Sequence, residues 1–207
     1  MKYTWPKFKL CRREQVDLFW SPKYNVKKNR NLPWQHGAAM QRMSEYGKLL
    51  RNKQVLKRSY LLTERQFGRI VKEISSKFSK NNNVSRDVAL YQFLERRADS
   101  ILYRSGLAKT IIQARQMVNH SHLLLNGKKH NIPSTFLEIG DVLTIKEKLH
   151  KSPLYSQILA ENSKAKLPSW VKVNKNTLSV EVLAMPLPGE LGMHADLLKV
   201  IEFYARA

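Results

Sequence analysis

The chain has 207 residues, with 37 Lys and Arg against 16 Asp and Glu, and its net charge of +21 favours a polyanionic partner. Nucleic acid fits this balance better than an anionic membrane surface, because no single long helix concentrates both the charge and an apolar face. The single cysteine excludes a disulfide framework and fits a reducing compartment. The Lys-rich N-terminus lacks the apolar core of a signal peptide, and without an apolar run of about 18 residues no transmembrane helix is predicted.

Residues 1–43 are predicted to form an irregular basic arm, because Pro6, Pro22, Pro33 and Gly37 interrupt its Lys and Arg residues. Interleaved cations and aromatic rings can contact phosphates and stack on bases, and the alternative is that each ring packs on its own domain. We expect a partner to order most of this arm. Its aromatic residues include Trp5, Phe8, Phe19, Trp20, Tyr24 and Trp34.

A helix from Ser44 to about Tyr60 is predicted next, and a Thr63–Gln66 capping box opens another. Each helix has an apolar stripe and an opposite face rich in Lys and Arg. Solvation alone explains one such face, but two successive basic faces with few acids favour phosphate contact. The stripes contain Tyr46, Leu49, Leu50, Leu56, Tyr60, Phe67, Ile70, Val71, Ile74 and Phe78, and residues 79–85 form a polar linker.

Residues Leu94–Ile145 are predicted to fold as two helices on a small sheet. The first helix has an apolar stripe within residues 91–102 and is expected to stop at Gly106 in the left-handed conformation. Arg96, Arg97 and Arg104 are expected to lie off that stripe, on a polar and basic face.

A Thr110–Gln113 capping box predicts the second helix of this region. Asn126-Gly127 predicts a two-residue hairpin turn, and Lys128 and Lys129 follow it, so we expect positive charge at one edge of the sheet. The buried side of the second helix is predicted to contain Ile111, Ala114, Met117 and Val118.

The remaining residues predict a short helix and two more strands. Ser152-Pro153 favours a helix to about Ser163, after a charged connector at 146–151. Strands are predicted at 170–173 and 178–182, and a turn at 186–189. A helical turn at 194–198 and an apolar run at 200–204 follow.

No set of residues predicts catalysis. The eight glycines form neither a P-loop nor a dinucleotide-binding loop, and no base or partner group accompanies Cys11. The six histidines are scattered, and His120 and His122 are too close together and too isolated for a structural zinc site. The sequence therefore predicts a binding protein and not an enzyme.

The region 94–145 strongly resembles a small RNA-binding module found in several RNA-associated proteins. Pseudouridine synthases, some aminoacyl-tRNA synthetases and a heat-shock RNA binder carry such a module, so the module alone leaves open an RNA-modification-associated protein or a free RNA-binding protein. The matching segments are Leu94-Glu95-Arg96-Arg97-x-Asp99, Tyr103-Arg104, Ala114-Arg115-Gln116-x-Val118-x-His120, Leu125-Asn126-Gly127-Lys128, Ile132-Pro133-Ser134 and Gly140-Asp141.

The rest of the chain resembles the small ribosomal subunit protein four family of the bacterial or organellar type. The segments that carry this resemblance are Lys9-Leu10-Cys11-Arg12-Arg13-Glu14, Gln35-His36-Gly37, Ser44-Glu45-Tyr46-Gly47, Lys53-Gln54, Thr63-Glu64-Arg65-Gln66-Phe67 and Val200-Ile201-Glu202-Phe203-Tyr204-Ala205-Arg206. The resemblance implies a primary binder of a junction near the 5′ end of small-subunit rRNA that nucleates assembly. It also implies contact with mRNA where it enters the subunit, small-subunit proteins three and five as neighbours, an effect on translational accuracy, and a ribosome-bound, cytoplasmic location, with an organelle ribosome as the alternative.

The sequence departs from the family in two places. Many relatives bind zinc with four N-terminal cysteines, but here Phe8 stands where the first would be and only Cys11 survives, so we expect no zinc and no cofactor. Relatives also carry a basic cluster after Gln35-His36-Gly37, whereas residues 38–43 here hold one positive charge, Arg42. This difference implies a weaker contact with mRNA from that loop.

The predicted fold is α+β, and the resemblance implies that a mostly helical domain contains an inserted RNA-binding module. The expected domains are the arm at 1–43, a helical rRNA-binding domain at 44–93 completed by 183–207, and the module with its extra strands at 94–182. No catalytic or metal-binding residue is expected. The residues expected to contact RNA are Arg12, Arg13, His36, Tyr46, Arg51, Lys53, Gln54, Lys57, Arg58, Arg65, Arg69, Arg97, Arg104, Lys109, Gln113, Arg115, Gln116, Asn119, His120, Asn126, Lys128 and Lys129.

Overall fold

The computed structural model separates the chain into two compact units. The helical unit comprises residues 1–90 and 192–207, and the sheet unit comprises residues 91–191. The α+β class predicted from the sequence is confirmed. The structure describes residues 6–19, 21, 26, 31–35, 37–38, 42–77, 84–150, 152–153, 155, 167–174, 176–190 and 195–206.

The helical unit contains the predicted pair of amphipathic helices. Ser44 caps helix α2 (Glu45–Ser59), and its Oγ accepts a hydrogen bond from the backbone N–H of Gly47. The capping box at the start of α3 is confirmed, because the Thr63 and Gln66 side chains each accept a hydrogen bond from the other residue's backbone N–H. The helices of this unit are α1 (Lys7–Glu14), α2 (Glu45–Ser59), α3 (Glu64–Lys77) and α8 (Leu197–Arg206), and α4 (Arg86–Glu95) spans the boundary between the units.

The prediction that residues 1–43 are irregular was wrong for residues 7–14, which form α1. Cys11, Leu18 and Phe19 are fully buried, so this part of the arm contributes side chains to the protein core. The Glu14 carboxylate on α1 accepts hydrogen bonds from Arg51 and Arg58 on α2. These partners are 37 and 44 residues away, and a local reading of breakers and charges cannot find them.

The C-terminal residues form one helix, α8, where the sequence predicted a short turn and an apolar run. The Phe203 ring lies 5.6 Å from that of Tyr46 on α2, and the Tyr204 ring lies 5.8 Å from that of Phe67 on α3. The Tyr204 hydroxyl donates a hydrogen bond of 2.7 Å to Glu64. The helix is thereby fastened to both α2 and α3.

In the described part of the sheet unit, five antiparallel strands follow the order β2 (Lys128–His130), β1 (Leu123–Leu125), β3 (Val142–Ile145), β5 (Ser179–Val182) and β4 (Val171–Asn174). The hairpin turn predicted at Asn126-Gly127 is confirmed, with φ of 48° and 80°, the two positive values that a type I′ turn requires. The two extra strands predicted near the C-terminal end are β4 and β5. The elements are α5 (Ala98–Arg104), α6 (Ile111–Asn119), β1 (Leu123–Leu125), β2 (Lys128–His130), β3 (Val142–Ile145), α7 (Glu147–His150), β4 (Val171–Asn174) and β5 (Ser179–Val182).

One helix predicted through residues 91–102 is instead two, α4 and α5, with a break at Arg96 and Arg97. Arg97 has an extended backbone, with φ −66° and ψ 141°. The Ala98 N–H donates to the Thr135 carbonyl at 2.9 Å, and the Leu137 N–H donates to the Arg96 carbonyl at 2.9 Å. The break exists because this segment pairs with a distant one, which helical periodicity does not show.

One face of the sheet packs against α5 and α6 to make the core of this unit. Leu125 and Leu143 are directly opposite each other, and Val180 follows on the next strand, so they share the core face. Lys128 is opposite Leu125 and Lys129 is opposite Leu124, so the two lysines lie on opposite faces of the hairpin. The core includes Ile101, Leu102, Ala114, Met117, Val118, Leu123, Leu137, Ile145, Tyr155, Trp170, Val171 and Val182.

Some predictions fall on residues outside those the structure describes. They concern most of the helix expected after Ser152-Pro153, residues 79–83 of the linker expected at 79–85, and the rings of Trp5, Trp20, Tyr24 and Phe78. The turn predicted at 186–189 is consistent with Gly189, whose φ is 106°.

Candidate nucleic-acid interface

Glu14 organises two of the arginines expected to contact RNA. Its carboxylate is fully buried and accepts a hydrogen bond from Arg51 at 3.0 Å and another from Arg58. Burial raises the pKa of Glu14, and the positive charges of Arg51, Arg58 and Arg13 oppose that rise. Both arginine side chains keep part of their surface in solvent. The pairing therefore fixes two guanidinium groups at the surface above one buried carboxylate.

The Glu64 carboxylate likewise pairs with two cations, here lysines. Its carboxylate oxygens lie 2.8 Å from the Lys53 ammonium and 2.7 Å from that of Lys57. Burial would raise the pKa of Glu64, but hydrogen bonds from Lys53, Lys57 and Tyr204 outweigh it and lower the pKa to about 2. The carboxylate is thus charged at neutral pH and holds α2, α3 and α8 together.

Two further carboxylates hold arginines in the sheet unit. Asp99 lies 3.1 Å from Nε of Arg97 and 2.6 Å from a terminal guanidinium nitrogen of Arg115. Glu95 accepts a bidentate pair of hydrogen bonds from Arg104, at 2.9 and 2.6 Å. Sequence reasoning did not assign these roles to Glu14, Glu64, Glu95 or Asp99. The Arg97-x-Asp99 spacing was the one feature of the local sequence that indicated such a pairing.

Two of the residues expected to contact RNA, Arg97 and Lys53, are buried in the structure. Arg97 is 4% exposed and its guanidinium is bound to Asp99. Lys53 is 6% exposed, and its ammonium lies 4.4 Å from the centre of the Phe203 ring. Burial of an arginine or lysine requires a paired acid, and both side chains have one. In the structure their pairing supports the fold beneath the surface.

Several other expected contacts lie on exposed surface. Arg65 and Arg69 lie on the outer side of α3, opposite its buried stripe. In the sheet unit the exposed residues follow the outer side of α6 and the hairpin, where donors and cations are close along the chain. They are Lys109, Gln116, Asn119, His120, Asn126, Lys128 and Lys129.

Two polar side chains of this set also hold local structure. The Asn126 amide donates to Asp141 at 2.8 Å and accepts from the Val142 N–H at 2.9 Å, so it fixes the hairpin turn. Gln113 accepts from the Lys109 N–H at 2.7 Å and completes the start of α6. They therefore contribute to the candidate interface by holding the neighbouring cations in place.

In the helical unit, aromatic rings accompany the predicted cations. The Arg12 guanidinium carbon lies 5.6 Å from the Phe8 ring centre, and that of Arg13 lies 5.2 Å from the Trp34 ring centre. Tyr46 is exposed beside Phe203, and Gln54 is half-buried on α2. His36 lies outside the described residues.

Zinc does not fit the donors that the structure describes. Cys11 is fully buried, and burial raises the pKa of its thiol to about 11, so the thiolate that binds zinc is disfavoured. Within the described ranges, no group of three or more His, Cys, Asp or Glu side chains is placed to hold a metal ion. Among the same residues, none of the helices has the length and apolarity to cross a membrane.

Comparisons with known proteins match both halves of the chain. Residues 2–95 match the family model of the ribosomal protein S4/S9 N-terminal domain, and residues 96–143 match that of the S4 domain. The small ribosomal subunit protein uS4 of Endomicrobium trichonymphae is 38% identical over 206 residues, 96% of each chain. The uS4 proteins of Heliobacterium modesticaldum and Thermotoga maritima are each 36% identical, over 99% of each chain.

Proposed function

The chain belongs to the small ribosomal subunit protein uS4 family, and on that premise we propose that it is a structural constituent of the small subunit that binds rRNA directly. The family's proteins are structural RNA-binding proteins and not enzymes. The proposed ligand is the phosphate backbone of folded small-subunit rRNA.

The observation that best supports this function is the arrangement of cations around buried or half-buried carboxylates. Glu14, Glu64 and Asp99 each hold two cations, so each cluster keeps a net charge of +1. The members that keep some exposed surface, Arg51, Arg58, Lys57 and Arg115, lose less conformational freedom when they meet a phosphate because they are already held. A surface made of fixed cations, in a chain of net charge +21, is suited to a rigid polyanion.

We propose that both parts of the chain contact rRNA. Residues 1–93 carry 21 Lys and Arg against 6 Asp and Glu, a net of +15, and residues 94–207 carry 16 against 10, a net of +6. The expected domains, with an arm at 1–43, a helical domain at 44–93 with 183–207, and a module at 94–182, remain our proposal for how these contacts are divided. The helical part would supply most of the electrostatic affinity.

Finer roles are also proposed from family membership. They are early binding at a junction in the 5′ domain of the rRNA, where binding nucleates assembly, and a position where mRNA enters the subunit. Small-subunit proteins three and five would be the neighbours there, with an effect on translational accuracy. The proposed location is the cytoplasmic ribosome of a bacterial-type system, with an organelle ribosome as the alternative.

The test is filter binding of the full-length protein to a transcript of the small-subunit rRNA 5′ domain, over a series of salt concentrations. A protein that contacts roughly 6–10 phosphates loses about a thousandfold or more in affinity between about 50 and 200 mM salt. A transcript of equal length and scrambled sequence is the control and should bind more weakly. Equal affinity for both transcripts, or affinity insensitive to salt, would contradict the proposal.

A further inference from the structure

Backbone hydrogen bonds among Leu32, Trp34 and Gly37 hold a segment in which one large aromatic side chain is mostly exposed. The Leu32 N–H donates to the Gly37 carbonyl at 3.0 Å, and the Gly37 N–H donates to the Trp34 carbonyl at 3.1 Å. Pro33 is buried, whereas Trp34 is 65% exposed. A β-carbon at Gly37 would lie 1.8 Å from the Leu32 carbonyl oxygen, so this closed turn requires glycine there.

The backbone of Trp34 is in a conformation that favours glycine. Its φ is 84°, a value at which an L side chain is strained. Because the ring is mostly exposed, its burial does little to offset this backbone strain. A bulky residue at a strained and exposed position contributes nothing evident to folding, and strained positions cluster at binding sites.

One side of the indole ring carries a cation. The Arg13 guanidinium carbon lies 5.2 Å from the ring centre, within the range of a cation–π contact. Arg13 is in the last turn of α1, and its neighbour Glu14 is bound to Arg51 and Arg58 of α2. The cation and the ring are therefore attached to an ordered part of the helical unit, and most of the ring surface stays open.

We propose that Trp34 and Arg13 form a stacking site for one unpaired nucleotide of RNA. The base stacks on the indole, and the guanidinium beside it meets a backbone phosphate. This inference rests on the proposed function, since it names a subsite of the rRNA surface. RNA is favoured over a protein partner because residues 1–93 carry a net charge of +15 and a cation already lies on the ring.

The test uses the full-length protein and two probes, a short single-stranded oligouridylate and a fully paired RNA duplex of the same length. Trp34→Gly removes the ring and relieves the backbone, so it should fold at least as well as the parent protein. Its affinity for the single strand should fall roughly 5- to 150-fold, the range for loss of one stacked base. Its salt dependence should not change, because no charge is removed.

Two variants serve as matched controls. Trp34→Tyr keeps an aromatic face and should recover most of the affinity for the single strand. Leu198→Ala removes an equally exposed apolar side chain, 65% exposed, from the same unit and should leave both affinities unchanged.

The outcomes separate this inference from the proposed function. Unchanged affinity of Trp34→Gly for the single strand, while the parent protein binds the rRNA transcript, overturns the stacking site alone and favours a protein partner for the ring. An equal loss with the duplex also overturns it, because a paired base offers no free face. Failure of the parent protein to bind the rRNA transcript overturns the proposed function instead.

Discussion

Replacing Asp99 tests whether the arginines of the sheet unit are structural supports. Asp99 is 1% exposed, and its carboxylate binds Arg97, Arg115 and the Ser100 N–H. Asp99→Ala leaves the buried Arg97 guanidinium without its counter-charge. Removing one partner of a buried pair costs about 3–5 kcal/mol, a large part of the roughly 5–15 kcal/mol that stabilises a typical domain.

The assay is urea unfolding of the full-length protein combined with hydrogen exchange, which separates the sheet unit from the helical unit. We expect the loss of protection to concentrate in peptides from residues 91–191. Glu138→Ala is the matched control, because Glu138 is 80% exposed and lies 4.0 Å from Arg96, and such a pair contributes at most about 1 kcal/mol.

A second replacement tests whether the loss of stability comes from the buried charge of Arg97. Arg97→Met in the Asp99→Ala background removes the buried charge that has lost its carboxylate partner, and it should recover much of the lost free energy of unfolding. If Asp99→Ala destabilises the protein no more than Glu138→Ala does, the pair is not the support that its burial indicates.

Three other predictions follow from the described side chains. Because the pKa of Glu64 is lowered from its ordinary value of 4.5 to about 2, its stabilising effect is present above pH 4.5 and is lost as the pH falls toward 2. Unfolding curves at several pH values should therefore show a smaller acid-dependent loss in Glu64→Gln, and equal losses would contradict this. Lys128 and Lys129 lie on opposite faces of the hairpin, so RNA that binds one face should contact only one of them. In filter binding, changing that lysine to Gln should reduce the salt slope by about 1, and changing the other should not. Two equal reductions would show that RNA does not bind a single face of the hairpin. Metal analysis of the purified protein should find no stoichiometric zinc, and a chelator should leave its unfolding curve unchanged; one zinc per chain would disprove the interpretation of Cys11.

The elements that the sequence predicted well are those specified by neighbours in the chain. The capping box at Thr63, the N-cap at Thr110, the turn at Asn126-Gly127 and the stripe that begins at Phe67 all depend on residues within one or two helical turns. Such signals combine side-chain hydrogen bonds with a fixed periodicity, so a single sequence displays them.

The elements that it missed depend on distant partners. Helix α1 is fixed by Glu14 to arginines on α2, and the break at Arg97 comes from backbone pairing with residues 135–137. The burial of Lys53 depends on Glu64, 11 residues away, and on Phe203 of α8, whereas Arg97 is buried together with Asp99, only two residues away. Charge counting finds the cations of a binding surface, but it cannot separate those that face solvent from those that support them.

Sedimentation of extract from the source cells shows directly whether this protein is a constituent of the small ribosomal subunit. We expect the protein to travel with small subunits through a density gradient, in proportion to them, at moderate salt. Recovery of the protein only in the slowly sedimenting fractions would contradict it.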